Sequence, residues 1–368
     1  MTPRENLLRL YRRQGFFPAI SFNFCPHLRQ EFKRRHPEAE SYADHFGFAF
    51  RVLNDPGFSW NFEEAWRIPE RDVDWQRFYP EGFTYAKKFD GWGIAHEDNP
   101  NSQHMTRMHH PLKNAVAIAE LEAYPWPDFA RLDWSYLKPQ VDAIHARGLA
   151  ALMTAECTIW EIAWYLRGME NLFMDMASED DMATWLLDHI TEMACLRVRE
   201  FARAGADILC LGDDIGMQST PMMSNEMYRQ WLKPRLAKVV AAAREIKPDI
   251  VVFYHSCGYC RPFINDLIEA GVDVLNPVQP ECPGMDFQEI FTEYGGRISF
   301  NGTIGTQKLM PFGTPAEVRA EVLRNLEIAG DKGGLFCCPT HMLEPEVPWD
   351  NILAYVDAVH EFAARHRG

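Results

Sequence analysis

The stretch FYHSCGYC, residues 253–260, sets His255, Cys257 and Cys260 within six positions, directly after the apolar run DIVV. His255 and Cys257 are two apart, so on an extended strand both side chains leave the same face. An imidazole nitrogen and a thiolate so spaced suit zinc, which holds them at about 2.0–2.1 Å and ~2.3 Å and, in catalytic sites, keeps one position open. A substrate thiol bound there would be held as thiolate at neutral pH. The competing reading is a buried histidine beside a small apolar cysteine. Cys260 completes Cys-x-x-Cys with Cys257, but there is no second such pair to build a four-cysteine structural site. It is therefore expected to stay outside the ligand set.

Such chemistry needs a strand to carry it and a pocket at the strand's end. DIVVFYHSCG (249–258) belongs to a regular series of short apolar runs that end in polar residues. The others are GLAALMTAEC (148–157), ADILCLGDD (206–214), VDVLNPVQ (272–279), RISFNGTIGT (297–306) and GLFCCPTH (334–341). Helical patterns separate them: Glu170 to Ala204, a helix capped near Ser224, RPFINDLIEAG, a helix after Thr314-Pro315, and one from about Pro348 to His366. Strands that are apolar throughout imply burial on both faces, hence a parallel sheet wrapped by helices. With FPAISFNF (17–24) and a further strand near 87–97, the series predicts an α/β fold of the (β/α)8 TIM-barrel type. It would be a single domain over 1–368, with the stretch 56–135 forming long loops at the C-terminal face. The alternative, a doubly wound open sheet, lacks a G-x-G-x-x-G after any strand.

In a barrel, chemistry sits at the C-terminal ends of the strands. Asn23, Cys25, Glu156, Asp213, Asp214, His255, Cys257, Asn276, Gln279, Asn301 and His341 gather there. Asp213 and Asp214 are adjacent, so one is expected to face the pocket as a base or ligand support while the other caps or props the loop. Asn23, Glu156, Trp160, Gln279 and Asn301 are candidate substrate contacts. His341 reads as a third metal ligand or a proton donor, or structurally as an anchor of its loop. Cys337 and Cys338 read as core, and His104, His109 and His110 as surface residues of a loop.

The formal charge of −15 argues against nucleic acid, whose phosphates call for a basic surface. No apolar stretch approaches the ~18 residues of a membrane span. MTPRENLLRLYRRQG is charged and amphipathic, without an apolar signal segment, and the nine cysteines are expected as reduced thiols in a cytoplasmic protein.

At these residues the chain resembles the uroporphyrinogen decarboxylase superfamily over nearly its whole length. THMLEPEVPWDNILAYVDAVHEF resembles the histidine-bearing loop and final helix of that family. WEIAWYLRGM (160–169) resembles the segment with its active-site tyrosine, which falls on Tyr165, and SNEMYRQWLKP resembles the helix after its fourth strand. The resemblance implies the same (β/α)8 fold and one of two chemistries. True decarboxylases bind porphyrinogen carboxylates through a motif of the form R-Q-A-G-R, whereas this chain has FNFCPHLRQ without the arginine pair. The other branch consists of zinc methyltransferases that move methyl groups between corrinoids and thiols, with His-x-Cys on strand five and a later cysteine. HSC matches at His255 and Cys257, but the last ligand place falls on His341.

The resemblance therefore implies a zinc methyltransferase using His255, Cys257 and His341, with a small-molecule thiol and a corrinoid partner protein. Asp213, Asp214, Tyr165 and His341 would act as catalytic groups. A metal-free carboxy-lyase acting on another carboxylated substrate is the alternative, and a non-catalytic small-ligand or corrinoid-binding protein is the third. A homodimer is compatible with each.

Overall fold

The computed structural model describes residues 1–15, 18–54, 73–84, 88–99 and 106–366. Its strands in chain order are β1 (Phe50–Asn54), β2 (Lys88–Phe89), β3 (Ala95–Asp98), β4 (Thr106–His109) and β5 (Ala150–Thr154). Then come β6 (Ile208–Gly212), β7 (Val251–His255), β8 (Val274–Asn276), β9 (Ser299–Asn301) and β10 (Leu335–Phe336). Seven form one sheet in the order β1-β5-β6-β7-β8-β9-β10, every pair parallel. The apolar runs are buried throughout β5, β6 and β8, as expected of strands covered on both faces.

Helices join successive strands and cover the sheet. Asp181–Ala204 packs on Lys233–Ile246, and Pro315–Ala329 on Trp349–Arg365. Their starts follow from short polar side chains that accept the otherwise unpaired amides of the first turn. Asp180 caps the first of these helices, Ser224 caps Asn225–Trp231, and Thr314 forms a reciprocal capping box with Glu317.

The closed barrel is met only in part. The sheet curls until Phe50 of β1 and Phe336 of β10 make ring contact at 6.4 Å, but no ladder joins these two edges. The segment expected as the first strand is no strand over 18–23 and makes one parallel bridge, Phe24 with Leu343; Phe17 lies outside the described residues. At the N-terminal end, Tyr11 plugs the curl, its ring against Phe253 and Phe336 and its hydroxyl accepting from Asn301 Nδ2 at 2.7 Å.

Two expectations need correction. The strand placed near 87–97 is not part of this sheet: β2, β3 and β4 form a separate antiparallel sheet. The edge place belongs instead to β1, FRVLN, whose Arg51, Asn54 and half-exposed Val52 break the continuous apolar pattern of the other strands.

Candidate metal centre

Parallel pairing sets Gly212, the last residue of β6, opposite His255, the last of β7. The two loops that follow are locked together by glycines. A Cβ on Gly216 would lie 2.7 Å from the Tyr259 nitrogen, and one on Gly258 would lie 2.6 Å from the Met217 oxygen. Gly258 also has φ +83°, a conformation that favours glycine. This close approach lets Asp214 Oδ1 accept the Cys257 amide at 2.7 Å.

The result is a compact group. His255 Nε2 lies 3.4 Å from Cys257 Sγ and 3.8 Å from Asp214 Oδ1, and the ligand atoms of all three lie within 4.8 Å of one another. Tetrahedral zinc with normal bond lengths would separate a nitrogen and a sulfur by about 3.5 Å. The other ring nitrogen, Nδ1, is bonded to Asn276 Oδ1 at 2.6 Å. That amide is oriented in turn by Nδ2, which donates to Asn301 Oδ1 at 2.8 Å, and Asn301 Nδ2 donates to Tyr11. An amide oxygen only accepts, so Nδ1 carries a hydrogen and the Nε2 lone pair faces Cys257 and Asp214 when the ring is neutral.

Electrostatics favour a cation here. Burial alone would lower the pKa of His255, but Cys257, Glu156 and Asp214 together raise it well above the usual range. Burial raises the Cys257 thiol despite His255. The protein thus holds protons where a dication would take their place, and the donor set fits zinc.

Carboxyls surround the group. Burial pushes Glu156 up to about 7, and it accepts from Cys210 Sγ at 2.7 Å. Burial, with Asp214 and Asp213 adding to it, pushes Glu161 up to about 8. Glu161 Oε1 accepts from the Tyr165 hydroxyl at 2.7 Å, and that hydroxyl lies 3.8 Å from Cys157 Sγ. Asp213 is turned away: its oxygens accept the amides of Ile159 and Glu161, anchoring the start of the helix Trp160–Arg167. Burial outweighs these bonds and raises its pKa to about 7.

The structure brings Asp214, His255 and Cys257 together, with Tyr165 and Glu156 close by. His341 stays outside the compact trio: it is solvent-exposed, its ring 6.5 Å from that of His255. Trp160 is fully buried, packed on Phe173 and Met222, and is core rather than pocket. Gln279 Oε1 accepts the Gly258 amide at 2.5 Å, and Asn301 supports Asn276, so both brace the site. Asn23 is exposed, and its carbonyl accepts from Leu343. Cys260, Cys337 and Cys338 are buried. His109 pairs with Glu97, His110 with the Tyr165 carbonyl, and His104 lies outside the described residues. Sequence reasoning missed Glu161, which sits in an otherwise apolar helix start, and the glycines that close the loops.

This geometry can be set beside known proteins. Residues 108–362 match the family model for uroporphyrinogen decarboxylase (URO-D), and the chain belongs to that family. It is 24% identical to the uroporphyrinogen decarboxylase of Pseudomonas fluorescens, over 69% of this chain and 71% of that protein. It is 26% identical to the one from Pseudomonas syringae pv. tomato, with the same coverage. A methyltransferase from Methanosarcina mazei shares its fold with a TM-score of 0.69 over 98% of this chain and 99% of that one, at 18% identity. These relatives are enzymes. No described helix is long and apolar enough to cross a membrane.

Proposed function

We propose that this chain is a zinc-dependent methyltransferase that passes a methyl group between a corrinoid, carried by a partner protein, and a small thiol. The observation that carries the reading is the trio of Asp214, His255 and Cys257 with Nδ1 of the histidine tied to Asn276. Zinc bound there would act as a Lewis acid that keeps a coordinated thiol ionised at neutral pH. Asp214 and Cys257 would supply two negative charges, and Asn276 would hold the His255 ring in line. His341 was expected as third ligand, but the distances favour Asp214 in that place and leave His341 at the mouth to handle protons. Tyr165, held by Glu161, would contact the substrate from the other wall. We further propose that residues 18–24 complete a (β/α)8 barrel around this site, in a cytoplasmic protein.

Metal analysis of protein purified without chelator is expected to give about one zinc per chain. Cys257→Ser should remove most of it, because a hydroxyl is a far weaker ligand than thiolate. His341→Ala should keep its zinc and lose turnover. The activity assay follows the spectrum of methylcobalamin incubated with the protein and a panel of thiols. Zinc-loaded protein that demethylates with none of them would overturn the reading.

A second reading, a metal-free carboxy-lyase, is favoured by the decarboxylase relatives and by Glu161, whose pKa burial raises to about 8 and which accepts from the Tyr165 hydroxyl. It requires turnover that survives chelation. Uroporphyrinogen itself is disfavoured under either reading, since its carboxylates would meet carboxyl groups here.

A further inference from the structure

A second set of charged groups lies at the opposite end of the sheet from the trio. There a cavity of about 260 Å³ is lined by three arginines, Arg12, Arg13 and Arg244, and two aspartates, Asp249 and Asp273. They come from separate elements. Arg12 and Arg13 follow the helix Pro3–Tyr11, Arg244 is in the last turn of Lys233–Ile246, Asp249 lies on the approach to β7, and Asp273 directly precedes β8. In a chain of net charge −15 this excess of positive charge is local and is assembled by the fold.

The aspartates are occupied. Asp273 Oδ2 accepts from Arg244 Nη2 at 2.9 Å and from the Val252 amide at 2.8 Å, and Asp249 Oδ1 accepts from Lys247 Nζ. Arg12 reaches Asp249 Oδ2 only at 3.4 Å, between exposed side chains, a pairing that holds it weakly. Arg13, half-buried, has no carboxylate partner among the described residues. Its one described hydrogen-bond partner is Ser299, whose buried hydroxyl donates to the Tyr11 carbonyl at 2.7 Å and accepts from Arg13 Nη1 at 3.1 Å. Most of its N–H donors are left over. The side chain is nonetheless held in place. Arg13 has φ +55°, uncommon for a residue other than glycine, and its Cγ passes over Gly334, where a Cβ would lie 3.0 Å away.

We propose that this cavity binds the phosphoryl group of a small ligand, inorganic phosphate or a small phosphate monoester, with Arg13 as the principal contact and Arg12 and Arg244 as flanking charges. A planar guanidinium matches two phosphate oxygens at once, and a phosphoryl dianion has oxygens for more than one such fork, where a carboxylate serves one. The volume sets the scale of the ligand, since it falls just below the ~300–1,000 Å³ of ordinary small-molecule sites. Buried Ile250 and Val251 also line the cavity and give an apolar wall for the body of an ester. The site is separate from the metal centre and stands whether or not that centre holds zinc.

The test is isothermal titration of the protein as purified, at neutral pH and low ionic strength, with inorganic phosphate, glycerol 3-phosphate and acetate as probes. Saturable binding of a phosphate probe is expected, with acetate about tenfold weaker or more and with affinity falling as salt rises. Tighter binding of glycerol 3-phosphate assigns the site to an ester, and equal or tighter binding of inorganic phosphate assigns it to the free ion. Arg13→Gln should weaken phosphate about tenfold or more, the scale of a charge-assisted hydrogen bond. Arg131→Gln, at an exposed arginine paired with Asp128 outside the cavity lining, should leave it unchanged. In the unaltered protein, phosphate should slow the modification of Arg13 by phenylglyoxal severalfold and leave Arg131 unaffected, read by peptide mass spectrometry. That measurement decides the matter even if Arg13→Gln does not fold. No saturable binding of either phosphate probe, acetate bound as tightly as both, an affinity unchanged in Arg13→Gln, or no protection of Arg13 would overturn the inference.

Discussion

Asn276 does more for the candidate centre than its place at the end of β8 suggests. Its oxygen takes the His255 Nδ1 proton at 2.6 Å, and its nitrogen is spent on Asn301, so the imidazole has one orientation open to it. Partners of this kind change metal affinity by about 10–100-fold when removed. Asn276→Ala is expected to weaken zinc by that factor, measured by competition with a chromophoric chelator, with the fold retained. Unchanged affinity would mean that His255 is held by packing alone. His255 and Cys257 were legible in the sequence because i, i+2 spacing on a strand has one geometric meaning. Asp214 was legible only as half of a pair, since sequence does not say which of two adjacent aspartates turns inward. Glu161 gave no signal: one acid in the first turn of an apolar helix is what any helix N-terminus can carry.

Strands and helices differ in how openly they declare themselves. The six C-terminal strands were readable because burial on both faces leaves an unbroken apolar run. Phe50–Asn54 was not, because an edge strand keeps polar and half-exposed positions, and Val52 is 44% exposed. The loop after β6 is fixed by contacts between glycines that no local pattern announces. Gly258→Ala would place a Cβ 2.6 Å from the Met217 carbonyl in an unfavourable backbone conformation. The turn must shift, moving Cys257 with it. Lower zinc content and a lowered denaturation midpoint are expected, and a variant with full zinc would show that the turn is not what sets Cys257. Asp213 offers a contrast. Asp213 accepts the Ile159 and Glu161 amides at the start of the helix Trp160–Arg167, so its change to Ala leaves buried donors unpaired and should cost about 1–3 kcal/mol, read by chemical denaturation. Zinc content should hold near that of the unaltered protein, since Asp214 and not Asp213 faces the trio.

At the scale of the whole molecule, the family was readable from stretches near 160, 224 and 341, yet the chemistry depends on a few side chains within that common fold. Here the accumulation of buried acid makes a prediction about the entire chain. Glu156 and Asp213 hold their protons to about 7 and Glu161 to about 8, chiefly through burial, whereas unfolded carboxyls release theirs near 4. Between those values the metal-free folded state binds more protons than the unfolded one, so its stability falls as pH rises. The contribution is fully present below pH ~4 and is lost through about 7 to 8. His255, raised above the ordinary histidine range, acts in the same direction, its share being lost above that range. Histidines lowered by burial, His45, His110, His189 and His341, act oppositely, but only below pH ~6.5, where the unfolded chain takes up their protons. Protein stripped of metal should therefore lose thermal stability steadily from about pH 6.5 to 8.5. Adding zinc should flatten the curve and raise it most at the alkaline end, where the metal takes the place of the departing protons. Melting temperatures measured across that range with chelator and with zinc decide the point. A metal-free protein that grows more stable toward pH 8.5 would mean that these carboxyls are ionised at neutral pH and that the site is more open to water than its burial indicates.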